Sequence, residues 1–175
     1  MIKQIIFSLI CCLIFACGEK HEKSIKETAY RNITIKTLYR DYKSKKKSVL
    51  YKKYKDSINM VYEYKTLEND STYYFLITKN IAKDSSIYLW GQDCKFVDSK
   101  IFNFKGKSIE VLKYFYDDKD SIDEEHNYFF TNEYGLVFSK SYAWSFPLDY
   151  YNVEELKPLQ DSIVNNLDTF KKSSY

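Results

Sequence analysis

The feature that most constrains this chain is a two-residue hydrophobic period that sets in near residue 57. Ile58, Met60, Tyr62 and Tyr64 alternate with Asn59, Val61, Glu63 and Lys65, and Tyr73, Phe75 and Ile77 alternate with Tyr74, Leu76 and Thr78. Successive side chains of a strand point to opposite faces, so each run reads as a strand with one buried face. Asn69-Asp70 between them predicts a tight hairpin turn. Further runs cover 87–90, stopped by Gly91, then 95–104, and 109–116 after Lys105-Gly106-Lys107. Residues 127–131 follow an acidic stretch at 117–125. The longest alternation sets Leu136, Phe138, Tyr142, Trp144 and Phe146 on one face. The small Val137, Ser139, Ser141, Ala143 and Ser145 take the other, until Pro147 ends the run.

These runs predict a mainly β member of the α+β class: an antiparallel meander of about seven strands, as a curved sheet or half-barrel. Nothing alternates strand with helix, so a parallel α/β fold is not expected. The tail changes period. Leu156, Leu159, Ile163, Leu167 and Phe170 recur at helical spacing, which predicts an amphipathic helix over about 153–171. Glu154, Glu155 and Asp161 lie toward its start and Lys171-Lys172 at its end, as the helix dipole favours. Pro158 implies that the main helix begins there or bends there. Residues 30–55 stay open between strand and helix: Asn32-Ile33-Thr34-Ile35-Lys36 alternates, whereas Val49, Leu50 and Tyr54 could share a helical face. With 18 Tyr and 12 Phe against 4 Gly and 2 Pro, a disordered chain is excluded, and one domain over 29–175 is expected.

The N-terminus carries a different signal. Lys3 precedes an apolar run from residue 5 to 15, broken only by Ser8, and Ala16-Cys17 then gives way to Gly18-Glu19-Lys20. A basic head, an apolar stretch and a small residue before a cut describe an export signal over 1–16. The run is too short to span a bilayer, which takes roughly 20 apolar residues. Ile14-Phe15-Ala16-Cys17 resembles the lipobox of bacterial lipoprotein precursors, with Ile14 in the usual leucine place and Phe15 bulkier than the usual second residue. The resemblance implies diacylglycerol on the Cys17 thiol, cleavage before it, and an acylated amine. Two or three acyl chains hold a protein stably where one does not. Residues 17–28 then form a lipidated tether to a membrane of the cell envelope. Gly18, rather than Asp, after the cysteine leans toward the outer membrane where two are present. Of four cysteines only Cys94 is left unmodified in the body, so an intrachain disulfide is not expected there.

The formal net charge of +3 conceals an asymmetry. Residues 20–55 carry 13 basic and 3 acidic side chains, whereas 56–175 carry 13 basic and 20 acidic ones. The basic segment, densest at Lys45-Lys46-Lys47 and Lys52-Lys53, is read first as a solvated stem and second as a contact for anionic headgroups. Nucleic acid is not an expected partner of an exported chain.

Catalytic motifs are scarce. Two histidines, His21 and His126, do not make a histidine-based zinc site, and neither a Gly-x-Ser-x-Gly elbow nor a glycine-rich phosphate loop is present. The acidic stretch 117–125 offers carboxylates suited to calcium but lacks the EF-hand glycine, and it is read as a solvated loop. No cofactor is expected. Exposed Trp and Tyr make stacking platforms for sugars or anchors for proteins. Trp144, Trp90 and Tyr142 are therefore the candidate ligand-binding residues. The reading is a non-enzymatic envelope lipoprotein that binds a protein or a glycan. A protective lipoprotein against a toxin or lytic enzyme is the alternative, and a hydrolase of envelope material stands third.

Overall fold

The computed structural model describes residues 29–173, apart from 69–70, 82–85, 90 and 118–123. Ten antiparallel strands run in chain order: β1 Arg31–Leu38, β2 Ser44–Asp56, β3 Asn59–Glu68, β4 Ser71–Asn80, β5 Ser86–Leu89, β6 Gln92–Phe104, β7 Lys107–Tyr116, β8 His126–Thr131, β9 Gly135–Ser141 and β10 Leu148–Tyr151. Each pairs with its sequence neighbour, and β10 returns to pair with β1, closing a barrel. Closure removes the unpaired edges that an open sheet would leave. The expected seven-strand curved sheet or half-barrel is thus corrected to a closed ten-strand barrel. Residues 30–55, open in the sequence, are the β1–β2 hairpin, paired from Arg31↔Tyr51 to Leu38↔Ser44. The lysines of β2 obscure its alternation, because only Val49 and Tyr51 along it are buried. The Asn69-Asp70 turn lies outside the described residues, but Glu68↔Ser71 pairing on either side closes that hairpin.

The barrel interior is aromatic. Tyr51, Tyr62, Tyr64, Tyr114, Tyr128, Phe130 and Tyr151 pack there with Ile33, Val49, Ile77, Ile87, Leu89, Leu112 and Leu136. The rings interlock in the offset and edge-on arrangements that their quadrupoles favour. Tyr64 stacks on Phe75 with centroids 4.3 Å apart, and Tyr62 meets Phe130 edge-on at 4.9 Å. One end is shut. Tyr62 Oη donates to the Asn132 carbonyl at 2.8 Å, the Leu136 amide donates to Tyr64 Oη at 2.9 Å, and Lys53 Nζ donates to the Asn132 carbonyl at 2.6 Å. Gly135 (φ +78°) lets the backbone pass this close, since a Cβ there would stand 2.5 Å from Tyr64 Oη.

A second core lies outside the barrel wall. The C-terminal helix α1, Val153–Val164, sets Leu156, Leu159 and Ile163 against Phe104, Ile109, Val111, Phe129, Val137 and Phe138. Pro158 sits inside this helix, which is shorter than the expected 153–171. A single 3₁₀ turn, Leu167–Thr169, follows and still brings Leu167 and Phe170 to the same cluster. Strands β7 to β9 are therefore covered on both faces and read as runs of buried residues.

The long strand expected over 136–146 is corrected too. β9 stops at Ser141, the chain bends through 142–145, and a cis Phe146–Pro147 peptide leads into β10. Within β9 a bulge changes the faces: Phe129 opposes Phe138 while Phe130 opposes Leu136, leaving Val137 without a partner residue. An extra residue shifts every later side chain to the other face. Leu136 consequently points into the barrel, whereas Phe138 packs under the helix and Ser139 turns inward. Gln160 of the helix is buried beside the bulge and donates from Nε2 to the Val137 carbonyl at 3.1 Å and the Tyr151 carbonyl at 2.6 Å.

Charged side chains such as Lys46, Lys52, Glu63 and Lys65 occupy outward register positions on β2 and β3. A membrane-spanning barrel shows the reverse, an apolar exterior, and a charge facing mid-bilayer lipid costs about 2–4 kcal/mol. Among the described residues no helix is long and apolar enough to cross a membrane.

Candidate ligand-binding site

Antiparallel neighbours place the β1–β2, β5–β6, β7–β8 and β9–β10 connections at the end of the barrel opposite the shut one. There the interior opens into a cavity of about 580 Å³ lined by Phe75, Leu89, Gln92, Tyr116, Glu124, His126, Tyr128, Leu136, Ser139, Asp149 and Tyr151. The size is within the range of small-molecule sites, roughly 300–1,000 Å³.

A polar row crosses its wall where the barrel closes. Thr37 on β1 is paired with Asp149 on β10, and Asp149 with Ser139 on β9. Thr37 Oγ1 donates to Asp149 Oδ1 at 2.7 Å. Burial pushes the Asp149 carboxyl above the usual aspartate range, while the Thr37 hydroxyl, the His126 charge and the Ser139 hydroxyl act in the other direction. Tyr151 Oη lies 3.5 Å from Ser139 Oγ. Burial also raises the Tyr128 and Tyr151 hydroxyls above their ordinary values, so both stay protonated donors at neutral pH. The His126 ring stacks on Tyr128 with centroids 5.8 Å apart.

Ser139, His126 and Asp149 share this cavity without forming a nucleophile–base pair. Ser139 Oγ faces Tyr151 Oη, and His126 Nδ1 lies 3.3 Å from the Glu124 carbonyl. Serine attack needs the hydroxyl bonded to the base. The lining offers rings on several sides, hydroxyls that donate and accept, and carboxylates that accept.

The three sequence candidates do not converge. Trp90 lies outside the described residues, although Leu89 and Gln92 beside it line the cavity. Trp144 is 53 % exposed in the β9–β10 connection and lines a separate groove of about 430 Å³ with Arg40, Tyr42 and Phe146. Tyr142 stands edge-on to Phe115 at 5.4 Å, and its hydroxyl lies 3.5 Å from the Ser173 carbonyl of the C-terminal tail. The shared face expected for Tyr142 and Trp144 does not exist, because both follow the end of β9. Most of the acidic stretch, 118–123, lies outside the described residues, but Glu124 at its end reaches the cavity. Among the described residues no group of three His, Cys, Asp or Glu side chains is placed to hold a metal ion.

Sequence reasoning missed Asp149 and Ser139 as wall residues. Their signal was weak: β10 is four residues long, and the β9 bulge reverses the face on which Ser139 is expected. Cys94 is buried, and its thiol is pushed up to about 12 by burial, so it faces the core as a small apolar group. Comparisons with protein families, with curated proteins and with solved structures find no match for this chain.

Proposed function

We propose that this protein is a non-enzymatic binding module of the cell envelope, anchored by lipid on Cys17, whose barrel mouth takes the end of a glycan. One observation carries the reading: a cavity open at one barrel end in which Phe75, Tyr116, Tyr128 and Tyr151 alternate with Gln92, Ser139, Asp149 and Glu124. Sugars present apolar ring faces and a belt of hydroxyls, and a wall of rings with mixed donors and acceptors matches both. The lipobox-like Ile14-Phe15-Ala16-Cys17 and the charged outer wall support attachment through lipid rather than through the barrel itself.

The test has two arms. Mass spectrometry of the protein isolated from membranes should find diacylglycerol on Cys17 as the first residue. Titration calorimetry against neutral, acidic and amino-bearing oligosaccharides should find at least one that binds, with binding weakened by Ser139→Phe, which fills the mouth. A bare Cys17 removes the anchor. A panel in which nothing binds at millimolar concentration removes the glycan.

A further inference from the structure

The charge inside the mouth is opposite to that of the chain as a whole. The sequence has a net charge of +3, and its lysines dominate the β1–β2 hairpin. Yet among the described residues lining the cavity are two carboxylates, Asp149 and Glu124, one imidazole, His126, and no lysine or arginine. Lys47 follows the inward parity of β2 opposite Ile35 but is not part of this wall.

Asp149 is the deeper of the two acids. It is held from both neighbouring strands by short hydroxyl side chains, Thr37 and Ser139, which solvate a carboxylate without neutralising it. A largely buried carboxylate is costly unless a cation joins it. His126 is the one basic side chain sharing the cavity with it, and the same wall carries the rings of Phe75, Tyr116, Tyr128 and Tyr151, whose electron-rich faces attract ammonium groups within about 6 Å. A carboxylate framed by hydroxyls and aromatic faces is the donor set for an ammonium group, and it disfavours phosphate, sulfate and carboxylate ligands.

We infer that the sugar accepted by the mouth carries a free amine, and that its ammonium group seats on Asp149 while its ring lies against Tyr128 and Tyr151. The inference rests on the glycan reading of the mouth and narrows it from sugars in general to de-N-acetylated amino sugars. Glu124, at the rim, adds a second and more solvated acid for the same charge.

Two probes that differ only in the amine separate this inference from its premise. They are the β-1,4-linked glucosamine trisaccharide and its fully N-acetylated counterpart, titrated calorimetrically at neutral pH into the chain that begins at Gly18. The free amine is expected to bind at least tenfold more tightly, and Asp149→Asn to abolish that preference. Glu124→Gln, a change at the exposed rim that leaves the core untouched, should reduce it severalfold even if the Asp149 variant does not fold. Equal affinity for the two probes, or preference for the acetylated one, overturns the amine and leaves the glycan site standing. Failure of both to bind at millimolar concentration overturns the amine and counts against the glycan reading too. A preference that survives Glu124→Gln unchanged and Asp149→Asn in folded protein places the amine elsewhere and overturns the assignment.

Discussion

Thr37 Oγ1 donates a 2.7 Å hydrogen bond to Asp149 Oδ1 across the β1–β10 pair, the seam that turns a ten-strand sheet into a barrel. The bond joins residues 112 positions apart and ties closure to the ionisation of one mostly buried carboxyl. Thr37→Val keeps the shape and removes the donor. A hydrogen bond to a charged group contributes about 1.5–3 kcal/mol, so urea unfolding at neutral pH should show a loss of that order. The loss should shrink below the ordinary aspartate pKa, where Asp149 is protonated in both states. An undiminished loss in acid would show that Thr37 acts through packing alone.

The Asp149 carboxyl itself makes a pH prediction of definite sign. Burial raises its pKa in the folded state above the unfolded value. Between those two values the unfolded chain binds fewer protons than the folded one, so stability falls as pH rises through that window. The contribution of the protonated form is complete below the unfolded pKa and is lost as pH rises through the folded one. His126 and Glu124 line the same cavity. Because the His126 charge acts on Asp149, the comparison of wild type with Asp149→Asn is repeated in a His126→Gln background, where that coupling is absent. The variant should match wild type in acid and gain on it toward neutral pH. A variant that falls behind with rising pH would reverse the sign and the assignment.

Gly135 and Gly106 share a positive φ but differ in surroundings. A Cβ at Gly135 would stand 2.5 Å from Tyr64 Oη, whereas one at Gly106 meets nothing within 4 Å. Gly106→Ala should therefore lose only the backbone cost of about 1 kcal/mol. Gly135→Ala should lose at least twice as much by denaturant midpoint. Tyr64→Phe in the Gly135→Ala background removes the clashing oxygen and should recover part of that difference. Equal losses at the two glycines would mean that the shut end is looser than the contact implies.

Gln160 links the helix to the bulge. Its amide serves two backbone carbonyls, those of Val137 and Tyr151, in a site that water does not reach. Gln160→Leu fills the space but leaves both carbonyls without that donor, which costs about 1–3 kcal/mol for each buried group left unsatisfied. Thermal unfolding should fall accordingly, and hydrogen exchange at the β9 and β10 amides should quicken. Unchanged exchange there would detach the side chain from the bulge.

The Cys94 thiol is buried and pushed up to about 12. Thiolate is the reactive form, so the folded protein should resist alkylation at pH 8 and become labelled only in denaturant. Peptide mass spectrometry at Cys94 reads this directly. Rapid labelling under native conditions would place the thiol in a more open part of the wall.

The strands of the middle of the chain were legible in its residues: β3 and β4 because burial of one face imposes a period of two, and β6, β7 and β8 as runs bounded by turn residues, the latter two being buried almost throughout. The helix was legible from its own period: Leu156, Leu159 and Ile163 reach the outer core, although the helix stops at Val164 and Phe170 arrives there by way of the 3₁₀ turn. These are local effects, in which each side chain answers to its own neighbours. Closure was not local. Whether β10 meets β1 depends on a four-residue segment, Leu148–Tyr151, pairing with residues more than a hundred positions away, and no period can be read from four residues. The lysines of β2 hid a strand whose outward face is simply wet. A single uncounted residue, Val137, moved Phe138 outward and Ser139 inward. Position alone also decided the site. Thr37 carries no spacing that would tie it to Ser139 and Asp149, because β1 meets β10 only when the sheet curls shut, and Ser139 faces Asp149 inside the barrel only because the bulge turns it inward. The residues determined what each strand would be; the curvature that brings the first strand to the last determined what the molecule encloses.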